Sequence, residues 1–233
     1  MNKTVIISGG SQGIGKALVK KFLQEGFAVF TCSRNKEKLD ALSAELNSSF
    51  LKTYVADLSE KTECQGFAGW VLGQTKSIDI LINNAGFFMP GQIQNEEDGA
   101  LERQIEANVY SAYHLTRAFL PTFQAQKSGH IFTICSTASI TAYTAGGSYC
   151  ISKFALLGFT KVLREETKTQ GIKVTAILPG ATLTPAWDGV ELPESRFIPA
   201  DDVASTIYSA YTMSPSTVLE EILIRPQLGD IEL

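Results

Sequence analysis

Histidine is scarce in this 233-residue chain: only His114 and His130 occur, and neither has a partner at metal-ligand spacing. A zinc site or a histidine-based nucleophile relay is hard to build from so few imidazoles. The four cysteines, Cys32, Cys64, Cys135 and Cys150, form no close pair, and no secretion signal precedes them. They read as reduced, mostly buried thiols of a cytoplasmic protein rather than a disulfide framework. No 18 apolar residues run together, so no membrane span is expected, and the apolar stretch Val5–Ser8 is too short for a signal peptide. Charge is sparse and nearly balanced, with 20 Lys+Arg against 24 Asp+Glu and a net charge of -4. Neither nucleic acid nor an anionic membrane is an expected partner.

What is present is a large stock of core residues, 44% hydrophobic against 19% charged. Short apolar runs recur at Val5–Ser8, Ala28–Cys32, Phe50–Val55, Ile78–Ile82, Ile131–Cys135, Val174–Leu178 and Val218–Ile224. Helical patterns begin near Gly13, Lys36, Glu60, Glu97, Tyr149 and Ala200. Buried strands alternating with helices predict βαβ units, hence a doubly wound α/β fold with a parallel seven-stranded sheet and helices on both faces. No linker divides the chain, so residues 1–233 read as one domain. Residues 179–199 carry prolines at 179, 185, 193 and 199 and little periodicity, the texture of a substrate loop.

Gly9-Gly10-Ser11-Gln12-Gly13-Ile14-Gly15 joins the first strand to the first helix. Glycines there permit positive φ and let a pyrophosphate approach the helix N-terminus. The spacing G-x-G-x-x-G fails, because Leu18 stands where the last glycine belongs. A P-loop comes closer, with Gly10 and Gly15-Lys16, but Ala17 replaces the magnesium-binding hydroxyl. Farther on, Tyr149 and Lys153 share one helical face at i and i+4, and Ser136 ends the fifth apolar run. In open parallel sheets ligands bind at that edge.

Taken in order, these features resemble the short-chain dehydrogenase/reductase family over nearly the whole chain. Ser8-Gly9 through Gly15 is similar to its T-G-x-x-x-G-x-G, with serine for threonine. Asp57-Leu58, Asn83-Asn84-Ala85-Gly86, Asn108, Ser136, Tyr149, Lys153 and Pro179-Gly180 with Thr182 and Thr184 match its remaining motifs. The resemblance implies a Rossmann domain binding NAD(P) through Gly9, Ser11, Gln12, Gly13, Ile14, Gly15, Ser33, Arg34, Asp57, Leu58, Asn84, Ala85, Gly86, Tyr149, Lys153, Pro179, Gly180, Thr182 and Thr184. It also implies hydride transfer to a carbonyl or from an alcohol without a metal. Ser136 would hold the carbonyl oxygen, Tyr149 exchange its proton, Lys153 bind the nicotinamide ribose, and Asn108 anchor a proton-relay water. Coulomb's law at ~5 Å and an effective dielectric of ~20 gives Lys153 a pull of about 2 pKa units on Tyr149.

The second strand ends in Ser33-Arg34 where NAD-preferring members place an aspartate. A guanidinium and two serine hydroxyls suit a 2′-phosphate, so NADP(H) is expected over NAD(H). Phe87, Phe88, Met89, Thr137–Tyr143 and Trp187 are expected around a small carbonyl or alcohol substrate. Lys127, with Gln170 rather than a base at the second position and Lys168 nearby, half-matches acyl-carrier-protein reductases of the family. The stretch Glu220–Pro226 resembles the final strand of carbonyl-reducing members, with a loop-like tail to Leu233 as a candidate interface, and the family resemblance implies a homodimer or homotetramer. Two rival readings stand beside the reductase: a catalytically silent NADP(H) sensor on the same fold, and a P-loop nucleotidase.

Overall fold

The computed structural model describes residues 2–231. Seven strands form one parallel sheet: β1 (Thr4–Ser8), β2 (Ala28–Ser33), β3 (Leu51–Val55), β4 (Ile80–Asn83), β5 (Gly129–Ile134), β6 (Ile172–Pro179) and β7 (Glu221–Ile224). Their spatial order is β3-β2-β1-β4-β5-β6-β7. The chain builds outward from β1 to one edge, then restarts at β4 and builds toward the other. β1 pairs with β4 in the register Val5↔Ile80, Ile6↔Leu81 and Ile7↔Ile82. The C-terminal ends of these two strands therefore form a topological switch point, where the connections diverge and leave a crevice. This is a doubly wound Rossmann fold.

Period-two alternation divides the sheet's side chains between two cores. Val5, Ile7, Val29, Ile80, Ile82 and Ile177 pack on one face. Helices α1 (Gly13–Gln24), α2 (Lys36–Leu46) and α7 (Ala200–Tyr211) cover it through residues such as Leu18, Phe22, Leu42 and Ile207. Ile6, Phe30, Leu81, Ile131 and Val174 face the other way. There they meet α3 (Lys61–Leu72), α5 (Ser111–Gln126) and α6 (Gly147–Thr167) through Phe67, Phe119 and Leu163. Each fully buried large side chain contributes about 1.5–3 kcal/mol, which makes the sheet the rigid part of the molecule.

Two features depart from the sequence expectation. The helix expected near Glu97 is α4 (Ala100–Ile105), and it runs into α5 through a π-helical turn, Glu106–Tyr110, with Asn108 at its centre. A π turn adds a residue to the helical repeat and re-aims the side chains around it. Residues 179–199 are more ordered than their composition suggests. Thr182 and Ile198 form a bridge that closes the loop at its base, and short 3₁₀ turns occupy Pro185–Trp187 and Glu194–Arg196. Strand ends differ by a few residues: Phe50, Ile78–Asp79, Cys135 and Val218–Glu220 lie outside the ladders. Among the described residues no helix is long and apolar enough to cross a membrane. All four cysteines are free and buried. The last two residues of the tail expected at an oligomer interface, Glu232 and Leu233, lie outside the described residues.

Candidate active site

The glycine turn is built by the switch point. Gly9 and Gly13 have φ of +70° and +54°, and a Cβ on Gly15 would lie 2.1 Å from the Gly9 carbonyl oxygen. The turn is fastened to the segment after β4 through Ser8, whose Oγ accepts from the N–H groups of Asn84 and Ala85, both at 2.9 Å. Asn84 answers by donating from Nδ2 to the carbonyls of Ser8 at 2.8 Å and Gly9 at 3.1 Å. The serine at position 8 thus clamps the glycine turn to the segment after β4 through one hydroxyl. Gln12 places no side-chain cap on α1, whose first residues, Gly13 to Gly15, line an open cleft. Uncapped N–H groups at a helix start, beside glycines with no room for side chains, fit a dinucleotide pyrophosphate.

The cleft has a volume of about 910 Å³ and follows the C-terminal edge of the sheet. Ser33, Arg34 and Asp57 line one end, and Phe88, Tyr143, Trp187 and Asp230 the other. Every residue expected to react or to bind the cofactor lines it except Asn108. Asn108 is fully buried behind the cleft. Its Oδ1 accepts from the Phe87 N–H at 2.9 Å, and its Nδ2 lies within reach of the Phe87 carbonyl, Gln104 Oε1 and Ser152 Oγ. The π turn brings this amide to the backbone after Gly86, where a Cβ would stand 2.5 Å from Asn108 Oδ1. Its side chain is saturated by protein groups. Gln104 and Ser152 were not singled out in the sequence; their spacing to Asn108 (i−4) and to Lys153 (i−1) was the available signal.

Ser136, Tyr149 and Lys153 converge where β5 ends and α6 begins. Ser136 Oγ accepts from the Ala138 N–H at 3.1 Å, which fixes the serine at the head of a 3₁₀ turn. Lys153 is buried, and its Nζ donates to the Ile134 carbonyl at 2.9 Å and sits 5.8 Å from the centre of the Tyr149 ring. Burial pushes the Lys153 ammonium down to about 8. Burial likewise pushes the Tyr149 phenol up to about 12, with the Ser136 hydroxyl pulling the other way. In the free protein burial dominates both groups, so the lowering of Tyr149 expected from Lys153 is not seen there. Burial also pushes the Cys135 thiol up to about 11, so this neighbour is a packed thiol and no nucleophile.

At the other end, Ser11 Oγ donates to Ser33 Oγ at 2.8 Å, and the Arg34 guanidinium lies 3.8 Å from the Asp57 carboxylate. That pair is exposed, and such pairs contribute only about 0–1 kcal/mol, so Arg34 is free to turn toward an anion. Asp57 Oδ1 also accepts from the Ser59 N–H at 3.0 Å and holds the turn before α3. Lys38, not anticipated, reaches Gln12 Oε1 at the same rim. Lys16, the lysine a P-loop would aim at phosphate, is absent from the cleft lining and pairs with Glu45 at 2.6 Å. The P-loop reading is overturned by that direction.

On the substrate side, Phe87, Phe88, Thr137, Ala138, Thr141, Ala142, Tyr143 and Trp187 line the cleft as expected. Met89, Ser139 and Ile140 do not. The Met89 carbonyl accepts from Gln104, Ser139 is buried against Ser136, and Ile140 is exposed. Asp230 and Ile231 join the wall without any sequence signal. The Tyr143 hydroxyl donates to Asp230 Oδ2 at 2.8 Å, Arg225 pairs with the same carboxylate, and Arg196 donates to the Asp230 carbonyl at 3.3 Å.

A family model described as short chain dehydrogenase matches residues 3–194. The chain belongs to the short-chain dehydrogenase/reductase family. An uncharacterised oxidoreductase of Bacillus subtilis is 37% identical over 183 residues, covering 78% of this chain and 69% of its own. A sepiapterin reductase of Chlorobaculum tepidum is 29% identical over 243 residues, 100% of this chain and 99% of its own. A metagenomic short-chain oxidoreductase solved in complex with NADP superposes with a TM-score of 0.84 at 28% identity, covering 97% of each chain. As a member of this short-chain family the protein is an oxidoreductase.

Proposed function

We propose that this oxidoreductase uses NADP(H) to reduce a carbonyl compound, or to oxidise the corresponding alcohol. The observation that carries the reading is the convergence of Ser136, Tyr149 and Lys153 on the cleft that the glycine turn opens. Gly9 to Gly15 and Asn84 to Gly86 would hold the dinucleotide, Pro179, Gly180, Thr182 and Thr184 its nicotinamide end, and Lys153 its ribose. Bound NADPH would supply the hydride. Ser136 Oγ donates to the carbonyl oxygen and fixes its direction. Tyr149 Oη, protonated at neutral pH because burial holds its pKa up, gives its proton to that oxygen as charge develops there. Lys153, poised near 8, returns a proton to the phenolate, and the π turn at Asn108 borders the route by which solvent restores it.

The preference for NADP(H) rests on Ser11, Ser33 and Arg34 at the end of β2, where no carboxylate awaits a ribose 2′-hydroxyl. The metagenomic relative's NADP complex supports it. The substrate end is walled by aromatic and small side chains, which suits a compact, largely apolar substrate. Assembly as a homodimer or homotetramer belongs to the same proposal. Tyr113 of α5 and Ile151, Phe154 and Val162 of α6 are exposed apolar side chains in need of cover.

Titration with NADPH, NADH and ATP, followed by nicotinamide fluorescence and thermal stabilisation, tests the cofactor assignment. Tight NADPH binding with weak NADH binding is expected, and a preference for NADH would sink it. In a panel of aldehydes and ketones, Tyr149→Phe is expected to lose about 10²–10⁴-fold in kcat while still binding NADPH. If that variant binds cofactor and the wild type reduces nothing, the silent-sensor reading replaces this one.

A further inference from the structure

The helix that carries the tyrosine and lysine lacks a cap of its own. Gly146 precedes α6 and offers no side chain, yet Tyr149 stands in its first turn, where unpaired N–H groups leave a helix prone to fray. The missing cap comes from 52 residues upstream: Glu96 Oε1 accepts from the Ser148 N–H at 2.8 Å. The Ser148 hydroxyl donates to the other carboxylate oxygen. The seat fits a carboxylate closely. A Cβ on Gly147 would stand 2.1 Å from Glu96 Oε1, and one on Gly91 would stand 2.7 Å from Glu96 Cγ. Two further contacts tie the same segment to the helix. Gly91 forms a parallel bridge with Gly146, its N–H donating to the Ala145 carbonyl at 3.0 Å. Phe88 packs edge to face on Tyr149 with ring centroids 4.8 Å apart. The hydrogen bonds from Ser148 hold Glu96 below the usual carboxylate range, so a negative charge faces the positive end of α6.

We propose that Glu96 is a positioning residue for the reaction: its carboxylate caps α6 from a distant segment and fixes the Tyr149 phenol against the substrate carbonyl. The inference rests on Tyr149 as the proton donor. A backbone displacement of about 1 Å at a reacting group costs up to ~100-fold in rate, and an uncapped first turn permits a movement of that size.

The test compares Glu96→Ala and Glu96→Gln in NADPH-dependent reduction, with NADPH affinity measured alongside. Glu96→Ala is expected to lower kcat about 10–100-fold with NADPH affinity held. Glu96→Gln keeps an acceptor for the Ser148 N–H and is expected to recover most of the loss. A kcat unchanged in Glu96→Ala overturns the proposal, as does a joint loss of kcat and NADPH affinity that glutamine fails to rescue. Should Glu96→Ala not fold, Glu96→Asp withdraws the cap by one methylene and is read the same way. Amide hydrogen exchange at residues 147–153 needs no substrate: faster exchange in Glu96→Ala supports the cap, and unchanged protection overturns it. Tyr149→Phe in the same panel separates the two levels. A variant at 149 that still reduces carbonyls removes the proton donor itself, whereas an inactive one beside an unaffected Glu96→Ala removes only the role of Glu96.

Discussion

The two ends of the cleft are made differently. The cofactor end is assembled from neighbouring strand ends of one sheet; its turn is fastened by side chains bonded to backbone, as at Ser8 and Asn84, and side chain pairs occur only at its rim, as at Ser11–Ser33. The substrate end is assembled from four separated segments: Phe87–Phe88, Thr137–Tyr143, the loop around Trp187, and Asp230–Ile231. What joins those segments is side chain to side chain, chiefly the meeting of Tyr143, Arg225 and Asp230. A sheet edge holds its geometry because every strand is pinned by its ladder. A wall of loops holds its geometry only as well as a few polar contacts allow. The first kind suits a cofactor common to a family, and the second suits a substrate that varies within it.

Lys153, where the two ends meet, gives the largest expected effect. Its burial lowers the ammonium pKa from 10.5 to about 8. The charged form is thus disfavoured by about 3 kcal/mol at pH 7. Lys153→Met removes that penalty but leaves the Ile134 carbonyl without its partner, a loss of about 1–1.5 kcal/mol. The variant should be inactive yet more stable by about 1–2 kcal/mol at pH 7. Because the folded pKa lies below the unfolded one, the wild type recovers stability as pH rises from about 8 through 10.5, and the gap should close there. Denaturant melts at pH 7 and pH 10 check the sign. A destabilised Lys153→Met at pH 7 would mean the lysine is held by more than its chemistry.

Gly15→Ala probes the sheet-edge half. Its Cβ would strike the Gly9 carbonyl and come within 2.6 Å of Asn84 Nδ2. Overpacking of backbone against backbone costs about 1–3 kcal/mol, and NADPH affinity should fall with it; fluorescence titration and thermal melts read both. An alanine that leaves NADPH binding intact would show the cofactor end to be as pliable as the loops.

Asp230→Ala probes the other half and carries the smallest effect. Releasing Tyr143 and Arg225, while the Asp230 carbonyl keeps its bond from Arg196, removes partly exposed contacts worth about 1 kcal/mol together. KM for the carbonyl substrate should rise roughly fivefold, the equivalent of that energy, with NADPH affinity unchanged. A parallel loss of NADPH affinity would mean that the two ends are mechanically one.

The same division explains what was legible beforehand. The glycine turn, Asn84 to Gly86, Ser136 and the Tyr149–Lys153 pair are local patterns attached to strand ends, so naming the strands placed them on one edge. Met89 and Ile140 were expected in the cleft because they are apolar and close in sequence, but periodicity says nothing about which way a loop residue turns. Glu96 and Asp230 carried no pattern, since their partners lie 52 and 87 residues away.

The sequence by itself determined the alternation of strands and helices, the glycine turn and the set of candidate reacting side chains. Each of these depends on residues within a few positions of one another, where spacing and backbone preference act directly. The tertiary structure alone decided that Lys16 turns away from the cleft, that desolvation rather than the neighbouring charge governs Tyr149 and Lys153, and that Glu96 caps α6. Those outcomes depend on burial and on contacts between distant segments, and both exist only once the two faces of the sheet are covered.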